Sequence, residues 1–179
     1  TKFGFDADKN PPYLTLALGA GAVTPWQQLT AYSVFANGGY RITPFLVRQI
    51  VDDQGNVLAE TKPELAGDES LRIIDARNAW LMDSMMHDVT RRGTAAGGTA
   101  RLKRADLAGK TGTTNDYIDA WFCGYQPNLV GIAWIGFDQP RRLGDGETGG
   151  SAALPIWVGY MEKALAGIPE SFQNFPEGL

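Results

Sequence analysis

Apolar positions along the chain follow two kinds of pattern, helical in the first half and strand-like in the second. A first helix is announced by Thr24-Pro25-Trp26-Gln27: Thr24 can cap, Pro25 suits the first helical position and Gln27 completes a capping box. Leu29, Tyr32, Ser33 and Phe35 follow at helical spacing, and Asn37-Gly38-Gly39 stops the helix. Before it, residues 1–12 are loop-like, with Gly4 and Pro11-Pro12, and the mostly apolar residues 13–18 can pack before Gly19-Ala20-Gly21 breaks any regular element. Residues 45–51 read as a strand, 52–56 as a turn and Val57-Leu58 as the return strand of a small hairpin. Asp75 is placed to cap a second helix over 76–90, with Trp80, Leu81, Met85 and Val89 as its apolar stripe. The glycine-rich residues 93–99 read as a mobile connector.

The period then changes. An apolar lead-in at 105–108 runs into a polar octapeptide at 109–116, a second apolar run covers 118–125, and a third strand over 129–137 ends at Asp138-Gln139-Pro140. Short polar turns between them predict an antiparallel meander. Residues 145–150 form an acidic, glycine-rich loop. Ser151 can cap a last helix carrying Ile156, Trp157, Tyr160, Met161 and Leu165, which ends at Gly167-Ile168-Pro169. Helices and a small hairpin over 1–100, followed by the strand, meander and closing helix over 101–179, make an α/β (α+β) domain whose antiparallel sheet is covered by helices.

Composition narrows the function. The chain has 179 residues, of which 44% are hydrophobic and 20% charged, enough for one domain with a core. A net charge of −4, with no basic cluster longer than Arg91-Arg92 or Arg141-Arg142, points away from a nucleic-acid partner. A single cysteine excludes an intrachain disulfide and a cysteine-rich metal site. No apolar run reaches the ~18 residues of a membrane span. Opening on Thr1 rather than Met, the chain reads as an internal or proteolytic piece of a longer protein.

The chemistry concentrates in Gly109-Lys110-Thr111-Gly112-Thr113-Thr114-Asn115-Asp116. Side chains alternate along a strand, so Thr111 and Thr113 share a face, and the Lys110 stem is long enough to bring its ammonium round to them. Gly112 leaves backbone bare for close approach of a ligand. A cation, two hydroxyls and backbone N–H groups together suit a carboxylate or a developing oxyanion.

This block, followed by Asp119-Ala120-Trp121-Phe122-Cys123-Gly124-Tyr125, resembles the third active-site motif of the penicillin-binding proteins, whose K-T-G is one of three motifs of a serine acyl-transfer superfamily. Further segments resemble, in order, the second half of the transpeptidase domain of bifunctional (class A) members. They are the stretch from Tyr13 through Val23-Thr24-Pro25, Phe35-Ala36-Asn37-Gly38-Gly39 with Pro44, the D-x-x-G-x-V turn from Asp52 to Val57, and Arg92-Gly93-Thr94-Ala95. Trp134-Ile135-Gly136-Phe137-Asp138 and Ala153-Leu154-Pro155-Ile156-Trp157 complete the series. The family's S-x-x-K and S-x-N are absent: Ser33, Ser70, Ser84, Ser151 and Ser171 all lack the required lysine and asparagine.

The resemblance therefore implies the C-terminal portion of one transpeptidase domain, related in fold to the serine β-lactamases, with the nucleophile on an upstream segment outside this chain. By itself the chain is expected to be inactive and poorly folded. The implied enzyme is a D,D-transpeptidase that cross-links peptidoglycan stem peptides ending in D-Ala-D-Ala and is trapped by β-lactams. It needs no cofactor or metal, works on the outer face of the bacterial cytoplasmic membrane, and is joined to the membrane through an N-terminal anchor and paired with a glycosyltransferase domain. Lys110, Thr111, Gly112, Thr113 and Thr114 would bind the substrate, with Lys110 steering the terminal carboxylate. The Thr113 backbone N–H would be one oxyanion donor. A non-catalytic penicillin- or peptidoglycan-binding sensor of the same fold is the alternative.

Other motifs read as ordinary structure. Cys123 inside an apolar strand and His87, the only histidine, on a helix do not make a convincing catalytic pair. Gly109-Lys110-Thr111 is not a phosphate-binding loop, because position 104 is arginine where glycine is required. Ser151 has Ala153 where a nucleophile elbow needs glycine. Asp145 and Glu147 read as a solvated loop that, by the resemblance, borders the site. Trp121, Phe122 and Trp134 read as core.

Overall fold

The computed structural model describes residues 2–179. Helix α1, Pro25–Ala36, begins with a full capping box: Gln27 N donates to Thr24 Oγ1 at 3.2 Å, and Thr24 N donates to Gln27 Oε1 at 2.9 Å. Strands β1, Gln49–Val51, and β2, Val57–Glu60, form the small antiparallel hairpin. Its turn is closed by the Asp52 carboxylate, which accepts from Gln54 N, Asn56 N and Asn56 Nδ2. Helix α2 is Ala76–Arg91, capped by Asp75, which accepts from Arg77 N. A short α3, Ala96–Thr99, leads to β3 (Ala108–Thr113), β4 (Ala120–Gln126), β5 (Leu129–Ile135) and α4 (Leu154–Ala164). The three long strands form an antiparallel meander in the order β3-β4-β5.

Strand alternation gives this sheet two apolar faces. On one, Ala108 and Tyr125 pack with Ala36 of α1 and Met86 of α2. On the other, Ala120, Phe122 and Ala133 pack with Leu154, Trp157, Val158 and Met161 of α4. Helices thus cover both faces. Trp157 is the centre of the α4 face. Gly124 and Gly131 lie opposite each other in β4 and β5, and a Cβ on either would come within 2.8 or 2.9 Å of the indole. The flat ring rests on that bare backbone, donates from Nε1 to Gly131 O at 3.0 Å, and meets Phe122 edge-on with ring centroids 4.8 Å apart.

Several expectations change in detail. Residues 13–18 contain a short 3-10 helix, Leu14–Leu18, with Leu14 and Leu18 exposed rather than packed. The first hairpin strand is shorter than 45–51. Helix α1 buries Thr30, Ala31, Val34 and Ala36, while Tyr32 and Phe35 are half-buried at the edge of that core. Helix α2 buries Ala79, Asp83, Met86, His87 and Thr90, and leaves Leu81 and Met85 of the expected stripe exposed. The reason is polar satisfaction. Tyr125 OH donates to Asp83 Oδ1 at 2.8 Å, and His87 Nδ1 and Thr90 Oγ1 both bond Leu107 O, so polar side chains are stable on the inward face.

Residues 93–99 are no loose connector. Ala95 is fully buried, Gly93 lies so close to α2 that a Cβ would be 2.8 Å from Val89 Cα, and Thr99 Oγ1 donates to Thr90 O at 2.9 Å. The last helix is capped by Thr148, not Ser151. Thr148 Oγ1 accepts from Ser151 N, and one π-helical turn, Gly149–Ala153, precedes α4.

After α4 the chain straps back across the helices. The Arg104–Asp106 pair, with Asp106 fully buried, holds this segment: Arg104 Nη1 donates to Ile168 O at 2.7 Å and Asp106 Oδ2 accepts from Ser171 N at 3.1 Å. Gln173 Nε2 donates to Phe35 O, and Phe175 meets Trp80 edge-on.

Replacing Gly131 by Val drives two methyls into the Trp157 indole. The expected cost is about 3 kcal/mol, the upper end of overpacking effects, read as a lower urea midpoint of the intact protein. An unchanged midpoint would mean that the indole does not rest on this glycine pair.

Candidate functional site

Among the described residues β3 is an edge strand, paired only with β4. Thr114 N donates to Asp119 O at 3.1 Å, so Thr114 faces β4, and so do Gly112 and Lys110 by alternation. Thr111 and Thr113 therefore direct their backbone C=O and N–H to the uncovered edge. Lys110 Nζ folds over that edge, donating to Thr111 O at 3.0 Å and reaching Thr111 Oγ1 at 3.4 Å. Among the described residues no carboxylate is paired with Lys110.

The two hydroxyls on the α4 face are each met by a loop. Thr111 Oγ1 lies 3.1 Å from Thr94 Oγ1, and Thr113 Oγ1 accepts from Gly149 N at 3.0 Å. Gly149 sits directly on the β3–β4 ladder, where a Cβ would come within 2.3 Å of Trp121 O and 2.5 Å of Gly112 O. No other residue fits there without moving the loop. On the opposite face Gly112 leaves room for its cross-strand neighbour, since a Cβ would approach Trp121 Cβ to 3.2 Å. The bare backbone at Gly112 is thus used by packing on both faces.

Thr114 belongs to the turn. Its hydroxyl accepts from Asp119 N at 2.7 Å, and the chain then reverses through Asp116 and Tyr117 at φ 59° and 54°. Leu143 N donates to Tyr117 O at 2.9 Å, and Arg142 lies over the Tyr117 ring while pairing with Asp145 at 2.6 Å. The acidic loop is therefore tied to the β3–β4 turn at one end and to β3 itself, through Gly149, at the other.

Lys110, Thr111, Gly112 and Thr113 are brought to one edge, and Thr94, from the Arg92-Gly93-Thr94-Ala95 segment, and Gly149, from the acidic loop, join them although the sequence assigned neither a role. The Gly149-Gly150 doublet just ahead of a helical pattern was a signal of close approach. The Arg92-Gly93-Thr94-Ala95 match marks the segment, but nothing in it points to a contact between Thr94 and Thr111.

Of the aromatics, Phe122 is core, but Trp134 is 39% exposed and bonds Asp119 Oδ1 through Nε1. Trp121, half-buried, packs against the Trp134 ring. His87 and Cys123 have separate surroundings. His87 bonds Leu107 O and lies 3.3 Å from Asp83 Oδ2, while burial pushes the Cys123 thiol up to about 12, partly offset by a hydrogen bond with Gln28. Among the described residues no cluster of His, Cys, Asp and Glu is suited to a metal ion.

A family model described as the penicillin binding protein transpeptidase domain matches residues 8–157. Penicillin-binding protein 1A of Neisseria lactamica is 47% identical over 178 residues, which are 99% of this chain and 22% of that protein. The protein of the same name from Pseudomonas aeruginosa is 40% identical over 224 aligned residues, covering 100% of this chain and 27% of that one. The crystal structure of penicillin-binding protein 1A from Haemophilus influenzae superposes with a TM-score of 0.91 at 33% identity, over 98% of this chain and 31% of that chain. The penicillin-binding protein PonA1 from Mycobacterium tuberculosis gives 0.73 at 28% identity, over 93% and 44%. The chain spans roughly a fifth to a quarter of the length of these curated relatives.

At pH 8 a thiol of this kind is thiolate in roughly one molecule in ten thousand. Iodoacetamide at pH 8 is expected to leave Cys123 unmodified in the folded intact protein and to alkylate it fully in denaturant, as read by peptide mass mapping. Rapid alkylation of the native protein would restore a reactive role for this thiol.

Proposed function

The chain belongs to the penicillin-binding protein transpeptidase domain family and is homologous to the bifunctional (class A) penicillin-binding proteins 1A, and on that premise we propose that it supplies the substrate-reading strand of a peptidoglycan D,D-transpeptidase. The observation that carries the proposal is the edge of β3, where Thr113 N–H, Thr111 C=O and an ammonium with no carboxylate partner among the described residues face a side that no described strand covers.

In this reading the donor stem peptide lies along β3 as an added strand, held by main-chain hydrogen bonds to the outward groups of Thr111 and Thr113. Its terminal carboxylate is an acceptor-only group. Lys110 swings from Thr111 O to meet it, and the Thr111 and Thr113 hydroxyls donate to it. A serine from a segment outside these residues attacks the carbonyl carbon of the D-Ala-D-Ala bond. The oxygen that gains negative charge is stabilised by Thr113 N–H, aimed outward before any ligand arrives, and by the N–H of the serine itself.

Collapse of the tetrahedral adduct breaks the C–N bond, and the departing amine of D-alanine takes up a proton. An amine on a neighbouring stem peptide then attacks the acyl-serine, forming the cross-link and releasing the hydroxyl. The Lys110 charge favours the deprotonated state of groups that relay these protons. Thr114 shapes the turn that ends the strand. A β-lactam presents a carboxylate and an amide carbonyl in similar positions and leaves an acyl-enzyme.

Among the described residues no helix is long and apolar enough to cross a membrane. The reading places this domain on the extracytoplasmic face, with the anchor and a glycosyltransferase domain contributed by other parts of the protein.

In the intact protein, Thr113→Pro removes the outward N–H without removing a ladder hydrogen bond, so acylation by fluorescent penicillin should slow by about 100-fold or more. Lys110→Ala should slow it by at least about 10-fold, in line with loss of a charged hydrogen bond. Lys110→Ala should keep the parent melting temperature, and Thr113→Pro, which also loses the bond from Gly149 N, should lower it by a few degrees without unfolding the protein. Unchanged acylation would remove these roles, and penicillin binding without covalent label in the parent would point instead to a non-catalytic binding domain of the same fold.

A further inference from the structure

We propose that Thr94 is a positioning residue that sets the direction of the Thr111 hydroxyl, so that Thr111 donates its proton to the carboxylate of the incoming ligand. The inference rests on the reading of β3 as a carboxylate-binding strand.

A threonine hydroxyl has one proton to give and two lone pairs to accept with. Thr111 Oγ1 has two polar neighbours, Lys110 Nζ at 3.4 Å and Thr94 Oγ1 at 3.1 Å. The ammonium only donates, so toward Lys110 the Thr111 oxygen is an acceptor. Toward Thr94 either oxygen can donate, and that choice decides what remains. If Thr111 donates to Thr94, its proton is spent inside the protein and a carboxylate at the edge meets lone pairs. If Thr94 donates, the Thr111 proton is left for the ligand. A carboxylate accepts only, so it selects the second arrangement, and Thr94 makes that arrangement available by giving Thr111 a donor.

Thr113 shows the same logic with a fixed partner. Its oxygen accepts from Gly149 N–H at 3.0 Å, a backbone group that cannot reverse roles, which leaves the Thr113 proton free. The two hydroxyls are thus prepared as donors from behind, one by a backbone amide and one by Thr94.

Thr94 is also held in place. Gly93 N donates to Asp88 O at 2.8 Å, Ala95 N donates to Val89 O at 3.1 Å, and Ala95 is fully buried, so the residues on both sides of Thr94 are fixed to the end of α2. Across the site, Gly150 lies over the Thr94 carbonyl, with its Cβ position 3.8 Å from Thr94 O. The hydroxyl is presented from a rigid bend, which is what a positioning group requires. Its side chain is exposed, so it can be changed without disturbing the core.

The test measures acylation of the intact protein by benzylpenicillin and by its methyl ester, which lacks the anionic carboxylate. Thr94→Val keeps the shape and removes the hydroxyl. Acylation efficiency with benzylpenicillin should fall about 5- to 20-fold, the effect of one hydrogen bond in a charged contact, and the loss should sit mainly in the half-saturation concentration. Thr94→Ser should restore it to within about 2-fold, and Thr94→Ala should behave as Thr94→Val if the valine variant folds poorly. The slower reaction of the ester should be the same for all of these proteins. In a Thr111→Val background, Thr94→Val should add nothing.

An equal loss on the ester, a full additional loss in the Thr111→Val background, or no loss at all would overturn the role of Thr94. A parent protein that benzylpenicillin does not acylate would remove the transpeptidase reading and this inference with it. A parent that is acylated and sensitive to Lys110→Ala but indifferent to Thr94→Val would remove this inference alone.

Discussion

The contact on which the rest of the structure depends is the Trp157 indole lying on the Gly124–Gly131 pair. Two facing glycines let α4 approach the sheet as closely as a ring is thick, and the indole N–H satisfies a strand carbonyl that the missing side chains expose. Fixing α4 there fixes the turn in front of it. That turn lays Gly149 on the β3–β4 ladder and points its N–H at the Thr113 hydroxyl. A packing contact in the middle of the sheet thus determines the hydrogen-bonding state of a side chain at its edge.

The other face positions β3 by polar means. Leu107 O, one residue ahead of the strand, accepts from both His87 Nδ1 at 2.8 Å and Thr90 Oγ1 at 2.5 Å. Asp83 is held by Tyr125 OH from β4 and by the His87 ring. These groups are buried, and each hydrogen bond left unmade there would cost about 1–3 kcal/mol. The network therefore specifies where α2 sits more sharply than an apolar contact would, because any slide of the helix breaks several bonds together. Burial and Asp83 also hold the Tyr125 phenol well above its ordinary range, so it stays a donor.

What could be read from the sequence was whatever depends on near neighbours. The caps at Thr24 and Asp75, the turn at Asp52, the antiparallel meander and the alternation that puts Thr111 and Thr113 on one face all follow from spacing within a few residues. The faces of α1 and α2 did not follow. Hydropathy ranks Leu81 and Met85 above Asp83 and His87, and nothing local shows that Tyr125 and Leu107 would satisfy the polar pair. The same limit hid the partners of the site. Thr94 is 17 positions from Thr111 and Gly149 is 36 from Thr113, so only the fold brings them together. Residues 93–99 looked loose because small residues are common in linkers, yet here their smallness permits contact with α2.

An uncovered strand edge is a liability, since any extended segment can add to it. β3 limits this in three ways that also bear on its chemistry. It is only 6 residues long, it carries a charged lysine, and that lysine folds over an outward carbonyl. A strand that adds here must displace Lys110 from Thr111 O, and the displaced ammonium loses a hydrogen bond unless the newcomer offers an acceptor in return. A neutral strand offers none at that position beyond its own backbone, whereas a chain ending in a carboxylate offers a charged one within reach of the two hydroxyls. If β3 binds the strand proposed for it, the contact that protects the edge also sets the condition for using it, and preference for a carboxylate-terminated ligand would begin before any bond to the backbone forms.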